Sequence, residues 1–191
     1  MRTLLAVIGS TLVLVVWGMI FWGWLYEFFD IFKGLPNDVK VAELLISNET
    51  ETGVYFFPWP RNTPETFANF VQQHKTGPFF QLSYIKEGVD PQSPGKILRG
   101  VLHYFLVSVV IVALLKVAVA SANFTFARKF AVIFLAGLMG TIFIRLGDPI
   151  WFHLPWPHAL GNALYEIGAW VWLGVAIAAI LKPEHKAVKA A

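Results

Sequence analysis

The chain is 191 residues long, 57% hydrophobic and only 14% charged, whereas an ordinary soluble domain carries about a quarter charged residues. Its net charge of +3 comes with no basic stripe interleaved with aromatics, so nucleic acid is not an expected partner. With no cysteine there is no disulfide, thiolate metal site or cysteine nucleophile.

Residues 4–26 form the first long apolar run, of the roughly 20 residues or more that a helix needs to cross the hydrocarbon of a bilayer. Arg2 precedes it as in a secretory signal. The run is too long for one, however, and Trp17, Phe21, Trp22, Trp24 and Phe28 leave no small-x-small cleavage site. An uncleaved signal anchor is expected.

Residues 32–98 are more polar and read as a small α+β insertion. Asn37 is the expected cap of a helix carrying Val39, Ala42, Leu45 and Ile46 on one face. Residues 54–57 and 79–85 are rich in β-branched and aromatic side chains and are bounded by Gly53, Pro58, Pro78 and Gly88, which suits two short strands. Between them Thr63, Pro64 and Glu65 start a helix that reaches His74 and stops at Gly77. A unit this small without disulfides is marginal alone. Its aromatics are expected to pack onto the membrane helices or a partner.

Residues 100–122, 128–147 and 159–181 complete a set of four apolar runs without the alternation of barrel strands. The expected fold is all-α and membrane-embedded: one domain over 1–191, four transmembrane helices, and the insertion between helices one and two. Arg2, the pair Arg128 and Lys129, and Lys182, Lys186 and Lys189 all fall on one side of four crossings. Positive charge favours the cytoplasmic side, and cations in a longer translocated segment weigh less. Both termini are therefore expected in the cytoplasm of a cell with this protein in its inner membrane, with residues 32–98 and 148–158 outside.

Ionisable groups gather at the outer ends of the helices. At about 1.5 Å per residue, His103 lies about 5 Å down helix two, Arg145 about 5 Å below the end of helix three and Glu166 about 10 Å down helix four. Asp148, His153, His158 and Asn162 belong to the same end. Glu166 inside hydrocarbon needs a donor, and Arg145 is at comparable depth, so a structural contact joined by Tyr165 or His103 is the expectation, with a proton, ion or substrate role as the alternative. Asp148, three residues from Arg145, competes for the same guanidinium. Lys116 is expected to reach the opposite headgroups along its stem. His153 and His158 are weak metal candidates, because Leu154-Pro155-Trp156-Pro157 between them prevents a helical ligand pair.

The aromatic excess suits a headgroup belt: Trp17, Trp22 and Trp24 on helix one, and Trp151 and Trp156 in the last outer loop. Trp170 and Trp172 sit deeper and are candidates for contact with a partner helix, pigment or lipid. Ala136, Gly137 and Gly140 give helix three a small face, Ala136 with Gly140 four residues apart, on which another helix can approach closely. Asn48-Glu49-Thr50 and Asn123-Phe124-Thr125 match a glycosylation pattern that is common by chance. There is no Walker loop, dinucleotide fingerprint, Gly-x-Ser-x-Gly elbow or EF-hand loop.

The run Thr52-Gly53-Val54-Tyr55-Phe56-Phe57-Pro58, the second aromatic strand, and a closing helix with an acidic residue ahead of Gly168-Ala169-Trp170 together resemble an uncharacterised family of small bacterial integral membrane proteins. The resemblance spans most of the chain. It implies a four-helix membrane fold and no assigned activity, and it carries over no site residues. The expected function is that of a non-catalytic accessory, assembly or stabilising subunit of a bacterial membrane complex, in contact with lipids and with other integral membrane subunits or further copies of itself. The rival expectation is a small membrane enzyme or transporter built on His103, Arg145 and Glu166, binding a metal, haem or quinone.

Overall fold

The computed structural model describes residues 1–29, 31–59, 64–119 and 125–181, with backbone alone at 64–66 and 119. Arg61, the expected helix start at Thr63, residues 120–122 of the second apolar run, Asn123 and Phe124 of the second glycosylation triplet, and Lys182, Lys186 and Lys189 lie outside the described residues. In chain order the elements are α1 (Arg2–Gly23), α2 (Asp38–Ser47), β1 (Gly53–Phe57), α3 (Pro64–Thr76), β2 (Phe80–Tyr84), α4 (Pro94–Val119), α5 (Phe126–Thr141), α6 (Gly147–Trp151) and α7 (Trp156–Ile180). A 3-10 turn follows α1 over Leu25–Phe29, and a π turn over Ile142–Leu146 joins α5 to α6. Two compact units result, one of Met1–Lys33 with Gln92–Ala191 and one of Gly34–Pro91.

Among the described residues of the first unit, four helices are long and apolar enough to cross a membrane: Arg2–Gly23, Pro94–Ala118, Phe126–Trp151 and Trp156–Ile180. Two begin earlier than hydrophobicity alone suggests, α4 at Pro94 and α7 at Trp156. Pro94 and Pro157 are tolerated there because the first turn of a helix has no use for their missing N–H groups. Helix α7 packs against α1 and α5, and α1 packs against α4. Val7 and Leu14 of α1, Val112 and Leu115 of α4, Ile133 of α5, and Leu173 and Ile177 of α7 share one buried cluster.

Glycines let large rings into the helix contacts. A Cβ on Gly168 would fall within the Trp17 indole, and one on Gly137 within that of Trp170. These two seats set the antiparallel register of α7 against α1 and α5, since each ring fills the space that a side chain would otherwise hold. At the far end Lys129 is buried, and its ammonium donates to the carbonyl of Leu181 just past α7. The last carbonyls of a helix lack intrahelical donors and carry partial negative charge, so a lysine there acts as a cap.

The π turn has a local cause. In a regular α turn the ring of Pro149 would collide with the carbonyl of Arg145 four residues earlier, and widening the turn relieves that clash. Arg145 thus sits in the widened turn.

In the second unit β1 and β2 pair antiparallel, from Gly53 opposite Tyr84 to Phe57 opposite Phe80, close to the strands expected. Phe57 stacks on Phe80 with ring centroids 5.3 Å apart. Helix α3 stops at Gly77, whose φ of +73° only glycine adopts freely. Asn37 does precede α2 but makes no side-chain cap, because its backbone is left-handed, with φ at 56°; Asp38 Oδ1 instead accepts from the Val39 N–H. Strand ends are tied by Thr52, whose hydroxyl donates to Glu87 and accepts from the Lys86 N–H, and by an ion pair of Lys86 with Glu51 at 2.8 Å. Pro58 is the one buried residue among those described in this unit, and Leu44, Ile46, Trp59, Phe67 and Phe80 are all exposed.

Candidate functional site

Tyr104, Arg145, Asp148, Tyr165 and Glu166 collect at the end where α1 and α5 finish and α4 and α7 begin, and α7 organises them. Successive residues of α7, Tyr165 and Glu166, point to different neighbours because a helix turns about 100° per residue.

Glu166 meets α5. Arg145 Nε donates to Glu166 Oε1 at 2.6 Å, while Nη1 reaches Asp148 Oδ2 at the longer 3.4 Å. A guanidinium is always charged and presents a rigid fork of donors, so it can bridge two carboxylates at once. The shorter, charge-assisted contact with Glu166 is the stronger of the two. All three side chains are partly buried, 31%, 20% and 22% exposed for Arg145, Asp148 and Glu166. The set is one cation and two carboxylates.

Tyr165 meets α4 and α1. Its hydroxyl lies 2.6 Å from that of Tyr104, and the pair fits over Gly18, where an added Cβ would come within 2.8 Å of the Tyr104 oxygen. Trp17 stacks parallel to the Tyr165 ring and donates its indole N–H to the Tyr165 carbonyl at 2.9 Å. Phe21 and Trp22 close the ring with centroids 5.2 and 5.3 Å from that of Tyr165. The sequence offers Tyr165 or His103 as a companion of the Arg145 and Glu166 contact and does not single out Tyr104. The available signal was a polar-tipped aromatic on each of two neighbouring apolar helices.

The other nominated residues lie elsewhere. His103 is exposed, its ring 5.5 Å from that of Tyr104. His153 is exposed in the turn before α7, with a positive φ of 56°. His158 is structural: Nδ1 lies 2.9 Å from the Ile31 carbonyl, which fixes it as the donor, and Nε2 is left to accept from Asn162 at 3.3 Å. That contact latches the segment after α1 onto the first turn of α7, with Ile31 seated against Gly161. Both ring nitrogens of His158 are occupied, and no group of three or more His, Cys, Asp or Glu among the described residues is placed to hold a metal ion.

Trp151, Trp156 and Trp172 are exposed, whereas Trp170 packs on Gly137 inside the bundle. Ala136 packs against the core, and a Cβ added at Gly140 would have no neighbouring group within 4 Å. No family model, curated protein or solved structure matches this chain.

Proposed function

We propose that the chain is a multi-pass protein of a bacterial inner membrane, both termini cytoplasmic, that serves as a non-catalytic accessory, assembly or stabilising subunit of a larger membrane complex. The observation that carries this reading is the insertion between α1 and α4. It has ordered helices and paired strands, yet among its described residues the large apolar side chains Leu44, Ile46, Trp59, Phe67 and Phe80 stay open. A segment that forms structure without burying its own apolar groups is built to bury them against something else. The bundle supports the same reading, since its exposed faces, Leu135, Met139 and Phe143 of the α5 segment among them, are apolar and suited to lipid or to another membrane helix.

Extraction in a mild detergent tests the proposal. Recovery in a stoichiometric assembly, with another subunit or with further copies of itself, is the expected result. Persistent isolation as a monodisperse monomer contradicts it. The rival reading, an enzyme or transporter using His103, Arg145 and Glu166, draws less support because Arg145 is engaged by two carboxylates and His103 sits apart from them beside Tyr104.

A further inference from the structure

Among the described residues, four serine and threonine hydroxyls are buried on the membrane-length helices, in two contrasting states. Ser10 and Thr11 of α1 bond to carbonyls of their own helix, Ser10 to Ala6 at 2.7 Å and Thr11 to Val7 at 2.8 Å, which is how a hydroxyl is ordinarily satisfied in an apolar bundle. Ser108 of α4 and Thr141 of α5 are as deeply buried, 0% and 3% exposed, and neither has a hydrogen-bond partner among the described residues. A buried hydroxyl without a partner is costly and calls for one.

Their positions are related. Ser108 is one turn past Tyr104, and Thr141 is one turn before Arg145. Because α4 and α5 run in opposite directions, each hydroxyl lies one turn further into the bundle than the residue that binds Tyr165 or Glu166. The pairs above them have unused capacity. Two tyrosine hydroxyls carry two hydrogens, and their mutual bond uses one. Arg145 contacts its carboxylates through Nε and Nη1, and Glu166 through Oε1, so among the described residues those contacts do not use Arg145 Nη2 or Glu166 Oε2. A water makes up to four hydrogen bonds, so one that partners such a hydroxyl can also bond to a further polar group beside it.

We infer that the bundle binds ordered water in two places, beneath the Tyr104 and Tyr165 pair through Ser108 and beneath the Arg145 and Glu166 pair through Thr141. Each water completes the bonding of a hydroxyl and of the pair above it, so the polar region extends one turn further into the apolar bundle than the pairs themselves. These waters belong to the bundle interior and do not depend on the proposed assembly role.

Thermal unfolding of the full chain in detergent discriminates by sign. If water is bound, Thr141→Val and Ser108→Ala each break a satisfied network and lower Tm, by about 2–4 °C for a chain of this size, and Thr141→Ser, which keeps the hydroxyl, stays closer to the parent than Thr141→Val. If the sites are dry, the same changes remove an unsatisfied polar group, and Tm holds or rises; that result overturns the inference at the position concerned. Transfer of magnetisation from water to protein in bilayer NMR gives an independent reading. Transfer is expected at Ser108 and Thr141, and its absence there while it persists at Arg145 overturns the inference even if the variants unfold early.

Discussion

Arg145 Nε and Glu166 Oε1 lie 2.6 Å apart, which ties the π turn after α5 to the N-terminal half of α7. A partly buried charge left without its partner remains desolvated, so removing either one alone costs more than removing both. Arg145→Met or Glu166→Leu should destabilise by about 1–3 kcal/mol, less than for a fully buried pair because both groups keep some exposure and Asp148 remains beside Arg145. The double variant should recover much of that loss. A thermal or denaturant double-mutant cycle measures it. A double variant no more stable than the worse single variant contradicts a structural role for the pair.

Two glycines within one turn of each other on α5 should respond oppositely. A Cβ at position 137 collides with the Trp170 ring, whereas at position 140 nothing lies within 4 Å. Gly137→Ala should therefore destabilise by about 1–3 kcal/mol through overpacking. Gly140→Ala should be neutral or stabilise by up to about 1 kcal/mol, since alanine favours the helix. Unfolding midpoints of the two variants in one detergent check this, and equal losses contradict the packing assigned to Trp170.

The contrast between Gly137 and Gly140 marks what could be read from the sequence. Four membrane-length apolar runs, the two strands and the stop at Gly77 follow from composition, periodicity and backbone preference. Depth along the helices also nominates Arg145 and Glu166, whose side chains meet. What composition does not supply is helix rotation, because a segment apolar on every side carries no phase from which to tell which glycine faces a ring. For that reason the Tyr104 and Tyr165 pair, the seat of Trp17 on Gly168 and the burial of Lys129 emerge only with the packed bundle. The failed cap at Asn37 has a different cause. Its residue type suits a cap, but its backbone adopts the left-handed region.

The strand ends in the insertion should loosen at both extremes of pH. Glu87 is held below its usual range by its own backbone N–H and by the Thr52 hydroxyl, so its contribution is present above the usual glutamate range and is lost as pH falls through the depressed value. Lys86 is raised by its bond to Glu51. Its contribution is present below the usual lysine range and is lost as pH rises through the raised value. Exchange protection at Thr52–Tyr55 and Leu82–Lys86, taken relative to the intrinsic rate at each pH, should be greatest between those limits. Exchange protection at these amides that is unchanged on acidification from above the usual glutamate range to below the depressed value contradicts the role given to Glu87.

The proposed topology can be read with single cysteines, since the chain has none of its own. Cysteines replacing Thr52 and His153 should react with an impermeant reagent applied to the outside of intact cells. Labelling only after the inner face is opened reverses the orientation, and labelling from opposite sides denies an even number of crossings between them.

The most direct measurement of the central claim is site-specific photocrosslinking in intact membranes from Trp59 and Phe80, with Lys40 of α2 as a polar reference. Both aromatic positions are open in the isolated chain. The account predicts discrete protein adducts from Trp59 or Phe80, either with another subunit or with a second copy, and a weaker signal from Lys40. Adducts with lipid alone, or none at either aromatic position, would contradict an assembly role for the insertion.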